Sequence, residues 1–323
     1  MDLHTMLTGP FPRSEALVAA TRDLDRGRTS AETVRALLRT SELEVSALED
    51  RLGLAPQSGG YLAWADLFRP FAETWGGFTV GPVTRWFETN TFFRQPILHA
   101  PPERAEGALR DWWPARDGAS ALRKVTLPGP YTFVGLLDNR SGETREALTH
   151  RVGRLLADEV RELRALGYGA FQFQEPLLVV DPPSGPLAEA TVSAYRAIDE
   201  ASTPAPTIVW TYFGDAAPSL ELLGRLRVSV VGIDLAETRP EEIDETLSGR
   251  ALGLGCLDPR TTLSEDPAEI ARIVRDLRER LSTPSVWLGP GGPLDLLPSA
   301  PAARKLEVLP KTRELLTGVG GRS

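Results

Sequence analysis

From about residue 121 onward the chain alternates short β-rich runs with helix-length amphipathic segments, the rhythm expected of βα units wrapped around a parallel sheet. The β-rich runs are Lys124 to Leu127, Ala170 to Gln174, Thr207 to Tyr212, Val228 to Asp234, Ala251 to Cys256 and Ser285 to Leu288. Crossover helices are expected over Glu146 to Leu166, Pro186 to Glu200, Ala217 to Leu226, Glu241 to Leu247, Pro267 to Leu281 and Pro301 to Leu316. Pro267 follows Ser264-Glu265-Asp266, and proline is at home in a first helical turn because the N–H it lacks would have no partner there.

The first third is less regular. It offers a possible strand at Thr5 to Thr8, a long helical region from Ser14 to Arg51, and a Gly- and aromatic-rich stretch from Ser58 to Gln95 with room for two more strands. Eight strands in all predict an α/β fold: a single (β/α)8 TIM barrel with a helical and loop insertion in its first third. A doubly wound open sheet is the alternative, but it announces itself by a Gly-rich first turn, and none stands here. No linker or low-complexity tract divides the chain, so residues 1–323 are expected to form one domain.

With 323 residues, 41% of them hydrophobic, the chain can bury a large core. A formal net charge of -8 argues against nucleic acid as a partner, since binding phosphates takes a surplus of clustered Lys and Arg. No segment approaches the roughly 20 apolar residues of a membrane span. The single cysteine, Cys256, excludes an internal disulfide and fits a reducing compartment, so the cytoplasm is the expected location.

In a βα barrel the ligand site is built at the carboxyl ends of the strands. The residues closing the runs are polar: Arg13 after the first candidate strand, Gln174 and Glu175, Thr211 and Tyr212, Asp234, and Arg260. One guanidinium, two or three carboxyl groups and an amide together suit an amino-acid-like or polyanionic small molecule. The competing account is that Glu175 and Asp234 cap helices or pair with arginine across the barrel top. Pro176 restricts the backbone beside Glu175, which predicts a carboxylate directed into the mouth.

Arg85-Trp86-Phe87-Glu88-Thr89-Asn90 interleaves rings with a guanidinium and an amide, and Trp64-Ala65-Asp66-Leu67-Phe68 adds to it. Arg85, Trp86, Asn90 and Asp66 could thus stack on a flat heterocycle and hold its polar edge. Alternatively, Trp86 and Phe93 fill a satellite core while Arg85 and Glu88 face water. His4, His99, His150 and Cys256 are the soft donors, with no two at a metal-ligand spacing, so no metal site is expected. His99 reads as loop, His150 as helix surface and Cys256 as a small core residue.

Several of these segments, with Thr8-Gly9-Pro10-Phe11-Pro12-Arg13, Phe171-Gln172-Phe173-Gln174-Glu175-Pro176, Thr211-Tyr212-Phe213-Gly214 and Asp295-Leu296-Leu297-Pro298, resemble the cobalamin-independent methionine synthases. That family joins two barrels, of which the carboxyl-terminal one binds zinc and homocysteine and takes the methyl group of methyltetrahydrofolate. The resemblance is to the amino-terminal barrel, which holds no metal. Where the zinc barrel has His-x-Cys this chain has Val209-Trp210-Thr211, and where it has Asp-Glu-Pro this chain has Gln174-Glu175-Pro176.

The resemblance implies a barrel without a cofactor of its own, methyltetrahydrofolate as a possible substrate, and a separate zinc-bearing barrel as a possible partner. Its rival is a stand-alone folate or amino-acid binding or regulatory protein that has lost the chemistry. A third reading is a metal-free methyltransferase with Glu175 or Asp234 as base.

Overall fold

The computed structural model describes residues 2–112 and 122–318. In chain order the elements are β1 (Asp2–Thr5), α1 (Glu15–Asp25), α2 (Ala31–Leu52), α3 (Arg69–Thr74), β2 (Gly76–Arg85), β3 (Phe92–Glu103), β4 (Lys124–Pro128), α4 (Pro130–Leu136), β5 (Asp138–Asn139), α5 (Arg145–Ala165), β6 (Ala170–Gln174) and α6 (Leu177–Val180). They continue with α7 (Gly185–Ser202), β7 (Thr207–Trp210), α8 (Leu220–Arg225), β8 (Val230–Asp234), β9 (Ala251–Leu257), α9 (Pro267–Leu281), β10 (Ser285–Pro290), α10 (Ser299–Leu306) and α11 (Val308–Thr317).

Seven strands form one parallel sheet in the order β1-β10-β9-β8-β7-β6-β4. The eighth position is filled by the short stretch from Leu54 to Gln57. The Ala55 N–H donates to the Thr5 carbonyl, Gln57 N–H to the Leu122 carbonyl, and Lys124 N–H to the Gln57 carbonyl. These bonds join β1 to β4 and close the cylinder.

The two strands expected in the aromatic stretch exist, but outside the barrel wall. β2 and β3 make a long antiparallel hairpin, extended by β5, that stands beside the mouth. The sequence rhythm could not separate them from barrel strands because a hairpin and a βα strand share the same alternation of side chains.

Other boundaries moved for visible reasons. The first strand ends at Thr5 rather than beginning there. The expected helix from Ser14 to Arg51 is broken between α1 and α2 at Gly27, whose φ is 66°, and Ser30 caps the second helix by accepting from the Thr33 N–H. Glu241 to Leu247 forms two single 3-10 turns, separated by extended Ile243. Pro301 to Leu316 divides into α10 and α11 at Glu307. α9 spans Pro267–Leu281 as expected, with Asp266 accepting from the Ala268 N–H at its start.

Trp210 fills the upper barrel. It is in register with Gly232, which is in register with Gly253. A Cβ on either glycine would come within 2.4 Å of the indole. Two adjacent strands thus leave a slot for the ring, and its Nε1 donates to the Gly291 carbonyl at 3.1 Å.

Beside it, Gln172 and Gln174 both donate to the Thr8 carbonyl, the latter at 2.5 Å, while the Thr8 hydroxyl donates to the Pro290 carbonyl at 2.8 Å. This ties down the loop that carries Arg13. No helix among the described residues is long and apolar enough to cross a membrane.

Candidate functional site

The hairpin leans over the barrel mouth and makes a pocket there. Its walls are the rings of Tyr61, Trp64, Trp86, Phe92, Phe93 and Tyr212, and its polar lining includes Asp66, Gln174 and Asp295. A wider cleft opens next to it along Pro10 to Glu15, sharing Asp295, Tyr61 and Trp64 with the pocket. The hairpin tip is held down by Phe87 against Phe213, ring centroids 5.5 Å apart. Both residues have left-handed backbone, φ 48° and 69°, an uncommon state for aromatic residues that the tip and the post-β7 loop share.

Of the residues singled out in the sequence, Asp66, Trp86, Gln174 and Tyr212 line this pocket. Arg13 lines the adjoining cleft, its guanidinium donating to the Trp64 carbonyl. Burial holds that guanidinium below its ordinary value, although Asp295 and Asp66 draw it the other way. Both oxygens of Asp66 serve the backbone: Oδ1 accepts from the N–H groups of Phe68 and Arg69, and Oδ2 from that of Arg94 at 3.0 Å. Asp66 thereby joins α3 to the hairpin and fixes the pocket's rim.

Glu175 does not enter the mouth. It is fully buried and accepts from the N–H groups of Tyr131 and Thr132, at 3.1 and 2.8 Å, and from the Tyr195 hydroxyl at 3.0 Å. The carboxylate thus receives the open N-terminus of α4. Burial pushes its carboxyl up to about 7 against these three hydrogen bonds. Thr211 is likewise structural, its hydroxyl donating to the Gly232 carbonyl at 2.8 Å. Arg260 lies outside the pocket, paired with Glu237 and, at 2.8 Å, with Asp258. Arg85 and Asn90 are exposed on the hairpin and outside the pocket lining, while Trp86 and Phe93 are buried.

Asp234 is buried beside Gly291, where any Cβ would meet its Oδ1 at 2.4 Å. Oδ1 accepts from the Ala236 N–H at 3.0 Å, and Oδ2 makes no well-aligned hydrogen bond among the described residues. Burial lifts this carboxyl from 3.8 to about 6. A raised acid is favoured by the fold in its protonated form, so its contribution is complete below pH 3.8 and is lost as pH rises through about 6. Asp234→Asn should therefore gain stability over the parent between pH 4 and pH 7, on the order of 2 kcal/mol. Urea melts at the two pH values measure this, and an unchanged difference would contradict it.

Asp295 is the acidic residue that the sequence reading left out of the site. It is exposed on the rim that pocket and cleft share, where the surrounding protein raises its carboxyl above its ordinary value and Arg13 draws it back down. Its signal was its place in the loop after β10, the last strand end of the barrel.

The soft donors are scattered. His4 stacks on Trp287 with centroids 4.0 Å apart, and His99 lies within β3, not in a loop, bonded to Thr79 at 2.9 Å. Burial pushes the Cys256 thiol up to about 12. Among the described residues no group of three or more His, Cys, Asp or Glu could hold a metal ion. The pocket's polar atoms are oxygen and amide groups, a poor match for zinc, which prefers thiolate and imidazole.

Residues 76–282, from the start of the hairpin to the end of α9, match the family model described as the amino-terminal domain of cobalamin-independent synthase. The chain belongs to this family. A methionine synthase of Thermococcus kodakarensis is 22% identical over 319 residues, covering 97% of this chain and 93% of that protein. The 5-methyltetrahydropteroyltriglutamate–homocysteine methyltransferase of Nitratidesulfovibrio vulgaris is 29% identical over 234 residues, which are 64% of this chain but 29% of the longer protein. The structure of a B12-independent methionine synthase from Shewanella, in complex with selenomethionine, superposes with a TM-score of 0.77 at 16% identity, covering 98% of this chain and 97% of that one. A methyltransferase from Methanosarcina mazei gives 0.61 at 10% identity over 97% and 94%. At such identities the likeness to solved structures is one of fold, and the cobalamin-independent synthase barrel is the fold of this chain.

Proposed function

We propose that residues 1–323 work as one barrel domain in methyl transfer from methyltetrahydrofolate to homocysteine, as the non-zinc half that acts with a separate zinc-bearing barrel. The observation that carries this reading is the outer face of the hairpin. Arg85 pairs across the strands with Phe92, and Val83 with Arg94. All four are exposed, Val83 at 56% and Phe92 at 55%. Among the described residues neither Arg85 nor Arg94 has a carboxylate partner. Phe92 also lines the pocket.

Two unpaired guanidinium groups around an exposed ring at the mouth suit the carboxylates of a folate's glutamate tail. The relative from Nitratidesulfovibrio, whose name contains triglutamate, supports this choice of ligand. So does the chain's oxygen-donor pocket, which leaves thiol activation to a zinc site elsewhere.

The expected result is that methyltetrahydrofolate triglutamate binds more tightly than the monoglutamate in calorimetry, and that Arg85→Glu weakens the triglutamate about tenfold, or about 1.4 kcal/mol. Adding the chain to a zinc-bearing barrel from the same cell should raise methyl transfer to homocysteine. Equal affinity for the two folates, together with activity indifferent to the chain, would sink the proposal.

The competing reading, a binding or regulatory protein without methyltransferase chemistry, draws on a different observation. Glu175, a candidate base, is fully committed to the α4 N-terminus and Tyr195. Calorimetry with homocysteine and methionine in the absence of a partner barrel separates the two, since tight binding without any effect on transfer supports regulation.

A further inference from the structure

The pocket under the hairpin carries a chemistry that an anionic folate tail does not use. Its lining residues include two carboxylates, Asp66 and Asp295, and no lysine or arginine, while the one guanidinium that attracts both, Arg13, stands in the adjoining cleft and donates to the Trp64 carbonyl. Among its buried polar atoms, Gln174 Oε1 and the Tyr212 hydroxyl have no hydrogen-bond partner among the described residues. Gln174 is 1% exposed; its Nε2 is spent on the Thr8 carbonyl, which leaves Oε1 as a bare acceptor. Tyr212 is 1% exposed, and its hydroxyl is likewise unpaired. Buried polar atoms without partners are uncommon, because each forfeits its hydration for nothing in return.

The two unpaired groups are held where they are by the surrounding fold. Gln174 is fixed through the Thr8 loop, and a Cβ on the neighbouring Gly9 would lie 3.2 Å from its Nε2. A Cβ on Gly292 would lie 3.4 Å from the Tyr212 ring. Around them stand the faces and edges of six aromatic rings. Bare acceptors, negative charge and π-faces all favour the same kind of guest, a cation with N–H donors. The space under the hairpin is small, about 70 Å³, and opens onto the adjoining cleft, so it suits a head group.

We propose that this pocket binds a small organic cation of the amidinium or guanidinium type, donating to Gln174 Oε1 and the Tyr212 hydroxyl, with its charge met by Asp295. Asp66 is already saturated by backbone N–H groups and adds only its field. The site shares Phe92 with the outer hairpin face, but neither Arg85 nor Arg94 lines it, so the Asp295 and Tyr212 variants test it apart from the guanidinium groups of that face.

The test is calorimetry on the full chain with methylguanidinium, with N-methylurea as the neutral compound of the same shape, and with tetramethylammonium as a cation lacking N–H groups. Methylguanidinium should bind at least tenfold more tightly than N-methylurea, and Asp295→Asn should remove that preference. Tyr212→Phe, which keeps the ring, should weaken methylguanidinium severalfold and leave tetramethylammonium unchanged. Thermal melts establish that both variants are folded, and Tyr212→Phe decides the matter if Asp295→Asn is not. No binding of methylguanidinium, equal binding of N-methylurea, or affinities untouched by either substitution would overturn the proposal.

Discussion

Replacing Trp210 by alanine is expected to cost about 3–5 kcal/mol of stability, the range for a large aromatic side chain removed from a packed interior. The indole is fully buried and occupies a slot that exists only because Gly232 and Gly253 lack side chains. Alanine would leave a void lined by those glycines and would also unpair the Gly291 carbonyl, which now accepts from Nε1. The reverse change, Gly253→Ala, should destabilise as well, because its methyl would stand 2.4 Å from the ring and 2.8 Å from the Gly232 Cα. In the double variant the new methyl enters space vacated by the ring, so the two losses should sum to less than their separate values. Denaturant unfolding of the three variants measures this, and strict additivity would mean that the two sites do not share a cavity.

Glu175→Gln distinguishes a structural carboxylate from a catalytic base. The glutamine keeps one acceptor oxygen but turns an amide N–H₂ toward N–H and O–H donors that now face carboxylate oxygens. The expected cost is about 2 kcal/mol of stability, with ligand binding in the mouth unchanged. Glu175→Ala should cost more, about 3 kcal/mol or above, since Tyr131 N–H, Thr132 N–H and the Tyr195 hydroxyl would all be stranded in the interior. A Glu175→Gln variant with the parent's stability but without methyl-transfer support would restore the base reading. Gly129→Ala offers an independent check: its Cβ would lie 2.1 Å from the Glu175 carboxyl carbon, so it should displace the same carboxylate.

Much of the barrel was legible along the chain because its wall repeats. β6 and α9 fall where alternation and capping residues place them, signals carried by residues adjacent in the chain. The closing stretch at Leu54 to Gln57 was not legible, since a strand of three or four residues containing Pro56 carries no periodicity and is defined by its bonds to β1 and β4.

The site divides in the same way. Gln174 and Tyr212 follow strand ends and were found by that rule, and both line the pocket. Glu175 obeys the rule equally well, yet its partners come from α4 and α7 and turn it away from the mouth. Arg260 follows β9, but Glu237 and Asp258 hold it at the surface.

By itself the sequence determined the βα rhythm, the family motifs and the polarity of the strand ends, because each is set by side-chain alternation or by residues adjacent in the chain. The tertiary structure alone decided which of those polar groups remain without partners. A carboxylate's role depends on whichever donors reach it, and here those donors come from segments more than forty residues away, as for Glu175 with Tyr131 and Thr132. The same holds for Asp295, which joins the aromatic pocket only because the barrel brings the loop after β10 under the hairpin.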